Sequence, residues 1–247
     1  MELAFAGELQ NKDAKFLGYW ADQKLAGVCS FSCEKENQYL RVLSIYAWDA
    51  VELALEAFLL AIESENAGYL VEIAIAPENR NAAAALVLHG YSVTETSLDL
   101  RYDPFSVNVA LNKMEGIAFL DDEGDDEFEE YALLHDLWFP DQYWKTERLR
   151  ELGGDWQVVT MREDGEITGA LLALPGHNTL EIVGLHAADE AIARKLILGL
   201  LQQNEMAEFG AEMILFLVQT ENKTYLRAAI SCGFSIFGRY ARWRKRL

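Results

Sequence analysis

The sequence predicts an α/β fold with a mixed sheet, built twice in tandem, and two observations carry that reading. Blocks of the second half repeat blocks of the first in the same order. Glu78-Asn79-Arg80 with Leu88-His89-Gly90-Tyr91 matches Glu221-Asn222-Lys223 with Ser231-Cys232-Gly233-Phe234 at an offset of 143. Residues 21–27 match 163–169 at an offset of 142, and residues 40–45 match 180–185 at 140. A unit this long is a folded domain rather than a solenoid repeat. The second observation is that both halves give the same succession of strand and helix patterns.

Each element follows from its residues. Segments 16–20 and 25–32 form a hairpin across Asp22-Gln23, and 158–161 and 167–174 form its copy across Glu163-Asp164-Gly165. A third strand follows at 39–45 or 179–185. Apolar residues spaced by three and four then predict a helix over 51–64 or 191–209. The nearly continuous apolar runs 69–76 and 212–219 read as centrally buried strands. A short helix starts after Asn79 or Asn222 and ends at Gly90 or Gly233, where glycine suits a left-handed C-cap. Final strands occupy 92–102 and 235–242.

The second half carries about 50 residues before its hairpin, with helices expected over 129–137 and 145–152, where the first half has only some 15. The first copy therefore reads as truncated. We place the domains at 1–103 and 114–247, with a linker or connecting strand through about residue 113.

Composition narrows the function. Of 247 residues 51% are apolar, enough for a core in each half. No run approaches the roughly 20 apolar residues of a membrane span, and no basic region precedes the apolar start, as a signal peptide would require. Cys29, Cys33 and Cys232 have no metal-like spacing and read as free thiols of a cytoplasmic protein without a metal site. A net charge of −19 argues against nucleic acid as a partner. Residues 121–130 hold eight carboxylates, either a solvated helix start or a funnel for a cationic amine. Arg239, Arg242, Arg244, Lys245 and Arg246 suggest an edge strand with a charged outer face.

The order of elements, closed by Asn-x10-Gly-[Phe/Tyr], resembles the GNAT superfamily of acyl-CoA-dependent N-acetyltransferases. The family motif is roughly Asn-x-x-Ala-x-x-x-Tyr-x-x-x-Gly-Phe. The second half offers Asn222, Tyr225, Ala229, Gly233 and Phe234, and the first offers Asn79, Ala82, Leu86, Gly90 and Tyr91. The resemblance implies two tandem GNAT-like folds with splayed sheets, the first truncated and structural, the second the candidate active unit. It also implies acetyl-CoA or another acyl-CoA as cosubstrate, and a small-molecule or peptide amine as acceptor. The backbone of Val183, Gly184 and Leu185 would hold pantetheine, amides at Ala191, Ile192 and Ala193 would hold the pyrophosphate, and Asn222 would touch the cofactor.

The pattern breaks where the anion should sit. The family's pyrophosphate loop is glycine-rich because unpaired amides must face an anion unobstructed. Residues 46–52 and 186–193 contain no glycine. Asp49 with Glu52 reads as a capping box, and Asp189 as an N-cap. A capping carboxylate takes the amide hydrogens that a pyrophosphate would use. The family's tyrosine, seven residues after the asparagine, which protonates the departing thiolate, is replaced by Ala229 and Leu86. Tyr225 lies one helical turn earlier and is the candidate proton donor, with Cys232 as the other thiol or phenol nearby.

A base is needed as well. Glu181 lies on the third strand, flanked by His177 and His186. Strict alternation puts Glu181, Val183 and Leu185 on one face. Glu181 is the base if that face meets the cleft, and His186 if the other does. Trp138, Phe139, Tyr143 and Trp144 form either an aromatic wall for the acceptor or packing onto the sheet. The expected function is N-acyl transfer; the alternative is a degenerate, non-catalytic GNAT fold that binds a ligand or partner. Oligomeric state stays open, a homo-oligomer included, as does the borrowing of an element by the truncated copy.

Overall fold

The computed structural model describes residues 14–105, 115–120, 126–140, 144–153, 156–176, 178–207 and 210–247. The strands in chain order are β1 (Ala14–Ala21), β2 (Lys24–Glu34), β3 (Tyr39–Ala47), β4 (Leu70–Ile75), β5 (Ser92–Tyr102), β6 (Ile117–Leu120), β7 (Gln157–Glu163), β8 (Glu166–Pro175), β9 (Thr179–His186), β10 (Met213–Gln219) and β11 (Ser235–Arg246). The helices among the described residues are α1 (Val51–Glu65), α2 (Arg80–Leu88), α3 (Asp126–Trp138), α4 (Thr146–Glu151), α5 (Glu190–Met206) and α6 (Lys223–Ser231). The α/β mixed-sheet class is as expected. β6 is an addition, at the start of the second copy.

The chain gathers into two compact units, one of residues up to Ser97 with Arg239–Leu247, the other Leu98–Gly238. In unit 1 the strand order is β1-β2-β3-β4-β11, with the first residues of β5, 92–97, on the far side of β11. The first three strands are antiparallel, β3 and β4 are parallel, and the end of β11 runs antiparallel to β4 with Trp243 opposite Ile73. Phe58, Leu59 and Ile62 of α1 are buried against Leu40, Val71, Ile73 and Trp243. In unit 2 the order is β5-β10-β9-β8-β7-β6, with β9 and β10 parallel and β6 to β9 antiparallel.

Period-2 alternation gives the unit 2 sheet two buried faces. Val159 and Leu171 join the core under α5 and α6, with Leu196, Leu200 and Ala229. Val158 and Leu172 join the opposite core under α3 and α4, with Phe128, Tyr131 and Trp156. Gly199 lets α5 approach closely, since a Cβ there would lie 3.0 Å from Val159 and 3.2 Å from Ile117. Asn204 ties the end of α5 to the approach to β10: its Oδ1 accepts from Ala211 N at 2.7 Å and its Nδ2 donates to Ala211 O at 3.2 Å.

The repeat is written into the backbone. Left-handed residues recur at the sequence offsets: Asp22 and Asp164, Gln23 and Gly165, Gln38 and Asn178, Gly90 and Gly233. The paired positive φ at 22–23 and 164–165 suits the tight turns that match strand twist. Bulges recur too. The ladder skips Leu43 between Ser30↔Ser44 and Phe31↔Val42, and skips Val183 between Leu172↔Gly184 and Ala173↔Ile182.

Each copy's closing strand serves the other's sheet. β11 pairs with β4, the buried strand of the first copy, and β5, whose residues from Leu98 belong to unit 2, neighbours β10, the buried strand of the second. The basic segment is therefore not an edge strand. Arg244 Nη2 meets the buried Glu72 Oε2 at 2.7 Å, Arg242 reaches Glu95 at 3.0 Å and Glu72 at 3.5 Å, and Lys245 pairs with Glu63 at 2.9 Å. These cations face carboxylates of unit 1, which is why an internal strand tolerates them.

Candidate functional site

In unit 2 the parallel ladder between β9 and β10 runs from Thr179↔Met213 to Ile182↔Phe216 and stops there. The Val183 bulge falls at the next residue. A bulge adds one residue and bends its strand, so β9 turns away from β10 at this point. The same stop occurs in unit 1 at Val42↔Ile73, next to the Leu43 bulge.

The bulge revises the expected facing of β9. Leu180, Ile182 and Leu185 all join the core under α5 and α6, while Val183 packs on the α3–α4 core. Glu181, between two residues of the first face, points to the second. His186 lies on that second face too, stacked on Trp138 of α3 with ring centres 4.1 Å apart and planes 7° from parallel. Leu185 does not share the face of Glu181, because the extra residue breaks the alternation. The two base candidates are thus on one face, separated by roughly 15 Å along the strand. Burial lowers the pKa of His186, keeping it a neutral base. His177 and Tyr143 lie outside the described residues, as do residues 121–125 of the acidic run.

Trp138 and Trp144 pack against the α3–α4 core. A buried chain of hydrogen bonds fixes their connection. Tyr131 Oη and His135 Nδ1 are 2.7 Å apart, and His135 Nε2 is 2.6 Å from the carbonyl of Trp144. A carbonyl only accepts, so Nε2 carries the proton and Nδ1 accepts from the phenol. Burial lowers the pKa of His135, consistent with this neutral tautomer. Asp136 Oδ1 accepts from Thr146 N at 3.0 Å, and Lys145 Nζ donates to Phe139 O at 2.7 Å. The sequence signal for this lock was the i, i+4 spacing of Tyr131 and His135 on α3.

The loop from β9 to α5 is self-satisfied. Asp189 is the N-cap of α5, its Oδ1 accepting from Ile192 N at 2.9 Å. Its carbonyl accepts from Ala193 N at 3.1 Å. Of the three amides at Ala191, Ile192 and Ala193, two are thus engaged by Asp189 alone. The hydroxyl of Tyr225 accepts from a further loop amide, Ala187 N, at 3.2 Å. Gly169 lets the first turn of α5 sit close on β8, where a Cβ would be 3.1 Å from Ile192 Cγ2.

The loop is poorly suited to a diphosphate, because side chains already take the Ile192 and Ala187 amides. The carboxylate of Asp189 accepts from Ile192 N and sets a negative charge at the helix end that would otherwise favour an anion, so the CoA diphosphate implied by the fold meets competition here from the protein's own side chain.

Unit 1 fills the same loop by another route. Trp48 and Asp49 amides donate to Ala26 O at 3.0 and 3.4 Å. Ala50 N donates to Asp49 Oδ1 at 2.8 Å. The expected capping box is not formed: the N-cap of α1 is Ala50, left-handed at φ 48° and without a side-chain cap. That turn moves Asp49 out of capping position, and Glu52 instead accepts from Asn81 at 3.1 Å.

The remaining residues fall into place. Asn222 caps α6, its Oδ1 accepting from Tyr225 N at 3.1 Å, as Asn79 caps α2 through Ala82 N at 3.1 Å. Ala229 is buried in the core, so nothing replaces the family's tyrosine at that position. Burial raises the Tyr225 pKa, so the phenol keeps its proton. Cys232 is buried, donates to Arg194 O, and is pushed up to about 11 by burial, which makes it core rather than a proton source at the cleft. Among the described residues no cluster of His, Cys, Asp and Glu is placed to hold a metal. No helix of the described residues is long and apolar enough to cross a membrane.

No protein-family model and no curated protein sequence matches the chain. Solved structures do. A GCN5-related N-acetyltransferase from Sphaerobacter thermophilus superposes with a TM-score of 0.67 at 16% identity, over 91% of this chain and 78% of that one. A tandem GNAT protein from the clavulanic acid biosynthesis pathway gives 0.62 at 12% identity, over 100% and 88%. A GCN5-related N-acetyltransferase from Kribbella flavida gives 0.61 at 17% identity, over 99% and 94%. The fold is the GNAT fold, in tandem, as the sequence resemblance implied.

Proposed function

We propose that unit 2 transfers an acyl group from a thioester to an amine. The observation that carries this is the Val183 bulge, which coincides with the end of the β9–β10 ladder and brings Glu181 and His186 onto one face of β9. The amine would enter from the side of Trp138 and attack the thioester carbonyl. Glu181 or His186 takes the amine proton, the C–N bond forms, and the C–S bond breaks. Tyr225, whose hydroxyl accepts from Ala187 and so retains its own hydrogen to give, protonates the departing thiolate. Backbone groups of Val183, Gly184 and Leu185 would seat the acyl carrier, and polarise its carbonyl. Unit 1 then serves a structural role.

Thiol release in the presence of acetyl thioesters and a panel of amines tests this. The expected result is amine-dependent release that falls at least a hundredfold in Glu181→Gln or His186→Gln. Release that no amine stimulates, or that neither substitution lowers, would remove the proposal.

One feature favours a second reading, a non-catalytic module that binds a ligand or partner. Asp189 and Tyr225 occupy loop amides that an acyl-CoA enzyme leaves to its cosubstrate.

A further inference from the structure

We infer that the β9–β10 cleft of unit 2 takes its acyl donor by the pantetheine chain alone and gains nothing from the nucleotide diphosphate of CoA. The inference rests on the acyl-transfer reading and narrows its donor to pantetheine-type thioesters. Three independent features of the loop support it. Asp189 takes the Ile192 amide with its carboxylate, the cap that a bound anion would have to displace. Tyr225, from a different helix, holds the amide of Ala187 with its hydroxyl. The loop backbone has no glycine, and the side chain of Ile192 is pressed against Gly169 of β8, so the first turn of α5 has little room to withdraw.

These contacts spare what lies upstream. Neither Asp189 nor Tyr225 bonds Gly184 or Leu185, and the end of the β9–β10 ladder at Ile182 is formed by the bulge, not by the loop. An extended amide chain needs a strand edge; a diphosphate needs a cluster of amides at a helix start. Unit 2 retains the geometry for the first and has given two amides of the second, Ala187 and Ile192, to its own side chains. Unit 1 has likewise spent its loop amides at Trp48, Asp49 and Ala50.

The test is calorimetric titration of the full chain with S-acetyl-pantetheine and with acetyl-CoA, repeated in Asp189→Asn, Tyr225→Phe and the double Asp189→Gly/Tyr225→Phe variant. The wild type is expected to bind the two ligands within threefold of each other. The double variant is expected to gain at least tenfold for acetyl-CoA and to leave S-acetyl-pantetheine within twofold. Asp189→Asn keeps a capping oxygen and guards against loss of folding in the glycine variant. Acetyl-CoA binding tenfold or more tighter than S-acetyl-pantetheine in the wild type would overturn the inference and leave the acyl-transfer reading standing. Binding of neither ligand would overturn both. A double variant that folds and gains nothing for acetyl-CoA would show that the loop contacts do not set donor choice.

Discussion

The imidazole of His186 lies flat on the indole of Trp138, joining the end of β9 to the end of α3. The stack shields a titratable ring at the end of β9, four residues past the last pair with β10, and burial there lowers its pKa. Replacing Trp138 with Ala should therefore raise the His186 pKa towards its ordinary value near 6.5. An NMR titration of the ring carbons reads this directly. A pKa that stays put or falls would mean that the indole is not what desolvates the ring.

The Tyr131–His135–Trp144 chain makes stability depend on pH. His135 has a lowered pKa in the folded protein, so between that value and about 6.5 the unfolded chain binds more protons. Stability should be intact above pH 6.5 and decline as pH falls below it. His135→Gln should reduce the pH dependence of the urea midpoint between pH 5 and 7; His186, whose shift has the same sign, still contributes. An unchanged pH slope would contradict this role for His135.

Removing one end of that chain is a second, pH-independent test. Tyr131→Phe leaves His135 Nδ1 without its donor in a buried site. The expected loss is about 1–3 kcal/mol by urea denaturation at pH 7.5. A loss under a few tenths would indicate that solvent replaces the phenol.

Ala50 offers a stabilising change. It sits at φ 48° without a capping side chain, a conformation that costs a non-glycine residue about 1–2 kcal/mol. Glycine gives back part of this as chain entropy, about 0.5–1 kcal/mol. Ala50→Gly should raise the melting temperature slightly or leave it unchanged. A drop of several degrees would show that the alanine methyl makes a contact worth more than the strain.

The ion pairs of β11 can be weighed in the same way. Glu72 is buried and meets both Arg242 and Arg244. Glu72→Ala leaves Arg244 without its carboxylate and Arg242 with Glu95 alone; with both guanidinium groups partly exposed it should cost about 1–3 kcal/mol, whereas Glu72→Leu with Arg244→Leu should recover much of it. A double variant as unstable as the single one would place the cost in lost packing instead of lost charge pairing.

Much of the fold was legible because turns and strand periods leave marks in side-chain type. Asp22-Gln23, Asp164-Gly165, Gly90 and Gly233 announce left-handed backbone, and their spacing announced the duplication. Asp189 was legible as a cap for the same reason. Three things were not. The Val183 bulge inserts an apolar residue among apolar residues, so alternation misassigned Leu185 and missed that Glu181 and His186 share a face. Asp49 and Glu52 have the spacing of a capping box, but the left-handed turn at Ala50 lies between cap and helix. The basic residues of β11 read as an edge because sequence records the charge of a strand and not the partner, here Glu72 and Glu95, that meets it.

The swapped closing strands also set the order in which the chain can fold. Ile73 waits for Trp243, which lies 170 positions downstream. Contacts that distant form slowly, since the intervening loop must be drawn together before they reward it. During synthesis the nascent first copy stays open along β4 until nearly the whole second copy has emerged, and cutting the gene at the repeat boundary would yield two fragments that each expose an unmatched strand.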